Sequence, residues 1–223
     1  MSDKKIVHVM VDLETMGTAP DAMVLSIGAC TFHPVQSLPS QNFYATINPK
    51  TSSGKMEIDT VKFWLDQAAS DVKPPINGTT PEYQVVGSFL DWLQDKTPPN
   101  GGEPIIWANG TDFDIPKLDR LLQFKRYDRA WKYSSVRDCR TIFKLFGEYG
   151  IKPPKLNAHH ALGDAVWQAE YLTSIINNLS KFVKIKEFED AYIGNVSRGV
   201  LSPTVGDATS SGTDGETIEP SAG

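Results

Sequence analysis

Apolar side chains run almost without a break from Ile6 to Val11, IVHVMV, and such a run reads as a strand buried on both faces of a sheet. It closes on Asp12-Leu13-Glu14. Side chains alternate along a strand, so Asp12 and Glu14 share one face and Leu13 takes the other. Met23 to Phe32, MVLSIGACTF, predicts a second strand, with Gly28 a bulge or a point of close approach. Asn42 to Ile47 predicts a third, and the short connections make the three an antiparallel meander.

After the meander the apolar period lengthens. Thr60 to Gln67 reads as a short helix with Asp59 as its N-cap. Tyr83 to Lys96 carries Val85, Val86, Phe89, Leu90 and Leu93 at helical spacing. A Pro/Gly loop leads to a short buried strand, Ile105 to Ala108. Pro116, tolerable in a first turn, then opens a helix that continues over Lys117 to Phe124. Trp131 to Val136 predicts a brief strand and Asp138 to Phe146 a helix. Ala161 to Leu179 predicts a long amphipathic helix and Ile185 to Tyr192 a terminal one. Three strands followed by alternating helices and strands form an α/β pattern with a mixed sheet. From about Val200 the Ser/Thr/Gly/Asp/Glu/Pro composition buries too little apolar surface to order itself, which predicts a domain over 1–197 and a disordered acidic tail over 198–223.

A chain of 223 residues, 40% hydrophobic and 22% charged, is large enough for one well-buried domain of ordinary soluble composition. No N-terminal apolar segment approaches a signal peptide or a membrane span, so the expected compartment is the cytoplasm, with no membrane partner. Two cysteines cannot build a disulfide framework, and four histidines argue against a structural zinc site. The formal charge of −5 speaks against a polyanionic partner only until it is mapped. From Leu201 the tail holds Asp207, Asp214, Glu216 and Glu219 and no base, so 23 of the 27 acidic residues face 22 basic ones in the body. Between Lys117 and Lys144 nine Lys or Arg stand against three Asp, a local balance that permits nucleic acid.

Two carboxylates on one strand face are costly to desolvate and raise each other's pKa, so the pair wants a proton or a cation. The plainer alternative places both just past the strand end in solvent. Asp114 follows the short buried strand, beside Asn109, Gly110 and Phe113; with Asp112 it also suits helix capping. Asp164 lies near the start of the long helix, where the helix dipole favours any carboxylate. His159 and His160 precede that helix, and the residues alone do not choose between them.

Together, Asp12-Leu13-Glu14, Asn109-Gly110-Thr111-Asp112-Phe113-Asp114 and His159-His160-Ala161-Leu162-Gly163-Asp164-Ala165 resemble the motifs of the DEDD exonucleases. The histidine five residues before the last aspartate resembles the histidine-bearing (DEDDh) branch. The wider text, DLETMG, FWLDQ, ANGTDFDIPKL, RDCRT and AHHALGDA, looks like phage and prophage exonucleases such as T-even phage exonuclease A and the exonuclease VIII-like proteins, over residues from about 5 to 180.

The resemblance implies a ribonuclease H-like fold, a five-stranded mixed sheet flanked by helices. It implies two Mg²⁺ or Mn²⁺ ions ~3.5–4 Å apart that stabilise the attacking and leaving oxygens at phosphorus. Asp12 would bridge both, Glu14 and Asp164 would hold the ion carrying the water, and Asp114 would serve the leaving-group ion. The family spacing chooses His159 as general base, a role that suits an unperturbed pKa of ~6.5. In similar enzymes the turn of Thr15, Met16 and Gly17 holds the terminal nucleotide, with Asn109 on the same substrate side. Phe63 and Trp64 stack on a base or serve the core of their helix. Asp138 and Arg140 orient groups of the site or contact phosphate, or form a plain helix-start ion pair. Lys117, Arg120, Lys125, Arg126, Arg129 and Lys132 form a backbone-tracking patch, or, for about half of them, solvated surface.

The implied activity is 3′→5′ hydrolysis of nucleic acid from single-stranded 3′ ends, releasing nucleoside monophosphates, with DNA ahead of RNA and a phage or prophage setting in a bacterial cytoplasm. An exoribonuclease or oligoribonuclease with the same site is the enzymatic alternative. A non-catalytic nucleic-acid-binding module would predict a broken metal set, whereas all five positions are filled.

Overall fold

β1 (Ile6–Thr15) is the middle strand of five. β2 (Val24–His33) pairs antiparallel with it and β3 (Ser37–Thr46) antiparallel with β2, the expected meander. β4 (Glu103–Ala108) lies parallel on the other side of β1, and β5 (Val136–Asp138) parallel to β4. The order β3-β2-β1-β4-β5 makes the predicted mixed sheet. The computed structural model describes residues 6–197 apart from 36, 69–71, 100–101 and 156–157, so the tail expected over 198–223 lies outside the described residues.

Among the described residues five α-helices accompany the sheet: α1 (Ile58–Ala68), α2 (Glu82–Lys96), α3 (Thr111–Lys125), α4 (Cys139–Phe146) and α5 (Ala161–Ser197). Several boundaries differ from expectation for identifiable reasons. Asp59 lies inside the first turn of α1 rather than capping it. α3 begins at Thr111, six residues before Lys117, behind an N-cap at Gly110 in a left-handed conformation, and carries Pro116 in its interior. Trp131 is a buried core residue, and β5 starts only after a short 3-10 turn, Tyr133–Ser135. β3 starts five residues before Asn42 and includes Pro39, which an edge strand tolerates. The two helices expected over 161–179 and 185–192 are one, because no Gly or Pro interrupts NNLSKFVKIKEF. Residues Met1–Lys181 form one compact unit; of the second, from Phe182, the structure describes α5 as far as Ser197. No helix among the described residues is long and apolar enough to cross a membrane.

Alternation along β1 decides which way the site faces. Val9, Val11 and Leu13 enter a core with Val85, Phe89 and Leu93 of α2 and Ile115, Leu118 and Leu122 of α3. Met10 enters a second core with Cys30, Trp107 and Ala165, Ala169 and Leu172 of α5. Each large apolar side chain fully buried in this way contributes about 1.5–3 kcal/mol. Asp12 and Glu14 share the parity of Met10, so both carboxylates are directed to the α5 side. Ala161, Ala165 and Ala169, all fully buried at one-turn intervals, let α5 approach the sheet closely.

Candidate active site

At the C-terminal end of β1 a cleft of about 670 Å³ is lined by Asp12, Glu14, Asp114, His159 and Asp164. α3 brings Asp114 to it and the N-terminus of α5 brings Asp164. Asp114 is no cap: it is 2% exposed, four residues past Gly110, and its Oδ1 accepts the Leu13 backbone N–H at 3.2 Å. Asp112, by contrast, is exposed. Asp164 Oδ2 accepts the His159 N–H at 3.2 Å; the Lys155 ammonium lies 2.9 Å from Oδ1 as an ion pair, and that oxygen is buried without a hydrogen-bond donor.

Crowding dominates the electrostatics. Burial, reinforced by the charge of Asp164, pushes the pKa of Asp12 up to about 7. Burial, then Asp12 and Asp164, pushes Glu14 up to about 9. Asp114 is raised well above the usual carboxylate range, by burial first and Asp12 second. Like charges this close cannot all ionise without a cation. Glu14, His159 and Asp164 present donor atoms that all lie within 4.8 Å of one another, a cluster able to hold a metal ion. Buried carboxylate oxygens short of counter-charge are what a hard divalent cation wants, so the donor set fits Mg²⁺ or Mn²⁺.

The two histidines separate. His159 lines the cleft with a left-handed φ of 60° and is met edge-on by Phe63 at 5.1 Å and Trp64 at 5.9 Å. His160 stacks on Tyr44 at 4.3 Å, and its Nδ1 accepts the Gly163 N–H in the first turn of α5. His160 is thereby committed to the helix start.

Thr15, Gly17, Asn109, Phe63, Trp64 and Arg140 also line the cleft. Phe63 is 38% exposed, whereas Trp64 is buried and donates its indole N–H to the Thr15 carbonyl at 2.9 Å. Met16 goes elsewhere: its side chain packs with Leu25 and Trp64, and its backbone pairs with Met23 and Glu57. Arg140 donates to the Asn109 carbonyl at 2.6 Å, and Gly110, at φ 97°, leaves room that a Cβ would take from the guanidinium. Asp138 caps α4 by accepting the Arg140 N–H at 2.8 Å and also takes the Gly110 N–H.

The basic patch expected over Lys117 to Lys132 is largely spent inside the protein. Lys117 is 1% exposed and donates to the carbonyls of Thr18 and Phe113. Arg120 bonds the Ser53 carbonyl, Lys125 pairs with the buried Glu82 at 3.0 Å, Arg129 with Asp119 and Lys132 with Glu103. Opposite charges of the fold answer three of the six bases and backbone carbonyls two more, while Arg126 is exposed.

Two neighbours of the cleft, Gln168 and Glu57, had no motif to announce them. Gln168, one turn beyond Asp164, donates Nε2 to Asp12 Oδ1 at 2.7 Å; a polar residue one helical turn from a candidate ligand is the signal that would have found it. Glu57 accepts the N–H groups of Thr18 and Ala19 and the Thr18 hydroxyl, holding the turn at the cleft mouth. Lys117 holds the same turn from the α3 side.

The fold is that of the DEDDh exonucleases, ribonuclease H-like. E. coli exonuclease I in complex with a dT13 oligonucleotide superposes with a TM-score of 0.54 at 16% identity, covering 84% of this chain and 44% of that one. The zinc-bound E. coli exonuclease I–ssDNA complex gives 0.54 at 16% identity over 83% and 43%. The nuclease domain of 3′hExo, a DEDDh family member bound to rAMP, gives 0.50 at 13% identity over 75% and 90%. The chain thus spans less than half the length of the exonuclease I chains. It belongs to the 3′–5′ exoribonuclease Rv2179c-like domain family, whose model matches residues 7–176. A search of curated proteins finds no match.

Proposed function

We propose that this chain is a divalent-metal-dependent 3′→5′ exonuclease acting on single-stranded 3′ ends, with the catalytic machinery in the 1–197 domain. One observation carries the reading: Glu14, His159 and Asp164 converge within 4.8 Å in a cleft that Asp12 and Asp114 also line. Asp12, Glu14, Asp114 and Asp164 are the residues that would hold two ions, Mg²⁺ or Mn²⁺. Such ions, when bound, lower the pKa of water and stabilise charge on the phosphate oxygens.

The protein's own groups do the rest. His159 takes the proton of the attacking water at a ring nitrogen, as a general base positioned by Phe63, Trp64 and its backbone bond to Asp164. The water oxygen bonds to phosphorus, the bond from phosphorus to the 3′ oxygen breaks, and a nucleoside 5′-monophosphate leaves. Gln168 and the Leu13 N–H keep Asp12 and Asp114 oriented. The exposed face of Phe63 offers a stacking surface worth ~1–3 kcal/mol per base, and Arg140 a charge for phosphate.

DNA is the first substrate reading, supported by the likeness of the motif text to phage and prophage exonucleases, and with it goes a bacterial cytoplasmic setting. RNA is the second, favoured by the description of the matched family. The test is a digestion time course in Mg²⁺ or Mn²⁺ on single-stranded DNA, duplex DNA and RNA, each labelled at either end. Mononucleotide release from a 3′ label on DNA supports the first reading, and preferential RNA digestion supports the second. Release from the 5′ end alone, or none from any substrate, refutes both.

A further inference from the structure

The segment entering α5 is laid along that helix and pinned at three of its positions, Ser174, Trp167 and Asp164. The Ile151 N–H donates to Ser174 Oγ at 2.7 Å, and the Trp167 indole donates to the Pro153 carbonyl at 2.8 Å. Lys155, two residues on, puts its ammonium 2.9 Å from Asp164 Oδ1. That oxygen belongs to a carboxylate 9% exposed, in the cluster able to hold a cation, while the lysine side chain is 42% exposed. The backbone just before Lys155 is thus tied to α5 at Ile151 and Pro153, while the Lys155 side chain keeps 42% of its surface exposed.

We infer that Lys155 is a built-in stand-in for a divalent ion, neutralising Asp164 in the metal-free protein and surrendering that carboxylate when the ion binds. The inference rests on the metal-dependent reading above. An ammonium and a dication compete for one carboxylate oxygen, because their mutual repulsion scales with the product of their charges. A flexible four-carbon stem with a compact charge suits a group that must leave. While paired with Asp164 the ammonium already lies 5.7 Å from the Trp167 ring, and a cation over an indole face keeps some stabilisation when its carboxylate is taken away. The charge of Lys155 also acts on Asp12 and Glu14, favouring their ionised forms. Lys152, 5.6 Å from the same ring, offers a neighbour of equal charge outside the ion pair with Asp164.

The test measures Mn²⁺ binding by calorimetry and melting in EDTA on full-length Lys155→Met, Lys155→Arg, Lys152→Met and Asp164→Asn proteins. Lys155→Met should bind Mn²⁺ about three- to ten-fold more tightly than wild type, the worth of breaking a partly exposed ion pair. Its metal-free melting temperature should fall by about 1–3 °C. Lys155→Arg should stay near wild type and Lys152→Met within about two-fold, since charge at a distance is screened. Unchanged or weaker Mn²⁺ binding by Lys155→Met overturns the inference, as does an equal tightening by Lys152→Met. If Asp164→Asn weakens Mn²⁺ binding while Lys155→Met fails to tighten it, only the role of Lys155 falls. If Asp164→Asn leaves Mn²⁺ binding intact, the metal site itself is misread and both conclusions fall.

Discussion

A Cβ on Gly28 would lie 2.1 Å from the backbone nitrogen of Leu162. Gly28 is the residue of β2 that pairs with Asp12, so the first turn of α5 rests directly on the sheet beside the carboxylate pair. The absence of a side chain at Gly28 is what lets Asp164 and His159 come within reach of Glu14. Gly28→Ala should lift the start of α5. Displacement of catalytic groups by about 1 Å costs roughly 10²-fold in rate, and overpacking costs about 1–3 kcal/mol. Steady-state kcat and thermal melting check both, and a variant with wild-type kcat would show that this contact does not set the site.

The histidines predict opposite phenotypes. His159→Ala should lower kcat by roughly 10²–10⁴-fold, the usual worth of a positioned general base, with Mn²⁺ binding largely kept. His160→Ala loses the bond to Gly163 and the stack on Tyr44, so it should lower stability by about 1 kcal/mol and leave kcat within a few-fold. A large loss of Mn²⁺ affinity in His159→Ala would make that ring a metal ligand instead of a base.

Asp114→Asn keeps an oxygen for the Leu13 N–H but removes a negative charge from the cleft. Activity should fall by orders of magnitude while the fold survives. Asp112→Asn, on the exposed side of the same helix, should be mild. Equal activity of the two variants would remove Asp114 from the site.

The raised carboxylate pKa values predict how metal-free stability depends on pH. For Asp12 and Glu14 the folded-state values, about 7 and about 9, lie above the ordinary carboxylate values of 3.8 and 4.5. The folded state then binds more protons than the unfolded state between about pH 4 and 9, so stability declines as pH rises through that window. Melting in EDTA should show the decline, and Asp12→Asn or Glu14→Gln should flatten it. Added Mn²⁺ should stabilise most at the upper end, where it no longer competes with protons. EDTA should abolish hydrolysis and excess Mg²⁺ or Mn²⁺ restore it; full-rate cleavage in EDTA would eliminate the metal mechanism.

Local periodicity in the sequence determined the meander, the mixed sheet and the shared face of Asp12 and Glu14, because strand alternation is a property of the backbone. It also marked Gly28 as a bulge or a point of close approach, and the contact with α5 makes it the second. The resemblance of the three motifs to the DEDD exonucleases drew Asp12, Glu14, Asp114, His159 and Asp164 together, whereas the residues alone left Asp114 and Asp164 open to plain helix-start roles and the two histidines unassigned. Tertiary packing decided what no local signal carries. Phe63 and Trp64 are adjacent on one helix, yet only the first keeps exposed surface, since the second is aimed beneath the Thr15 turn. Lys117, written like any surface base, is buried against two carbonyls. Gln168 and Lys155 reach the carboxylates only because α5 lies on the sheet and the preceding segment lies on α5. A charged side chain's partner is set by which elements meet in space, and 156 residues of chain separate Gln168 from the aspartate it holds.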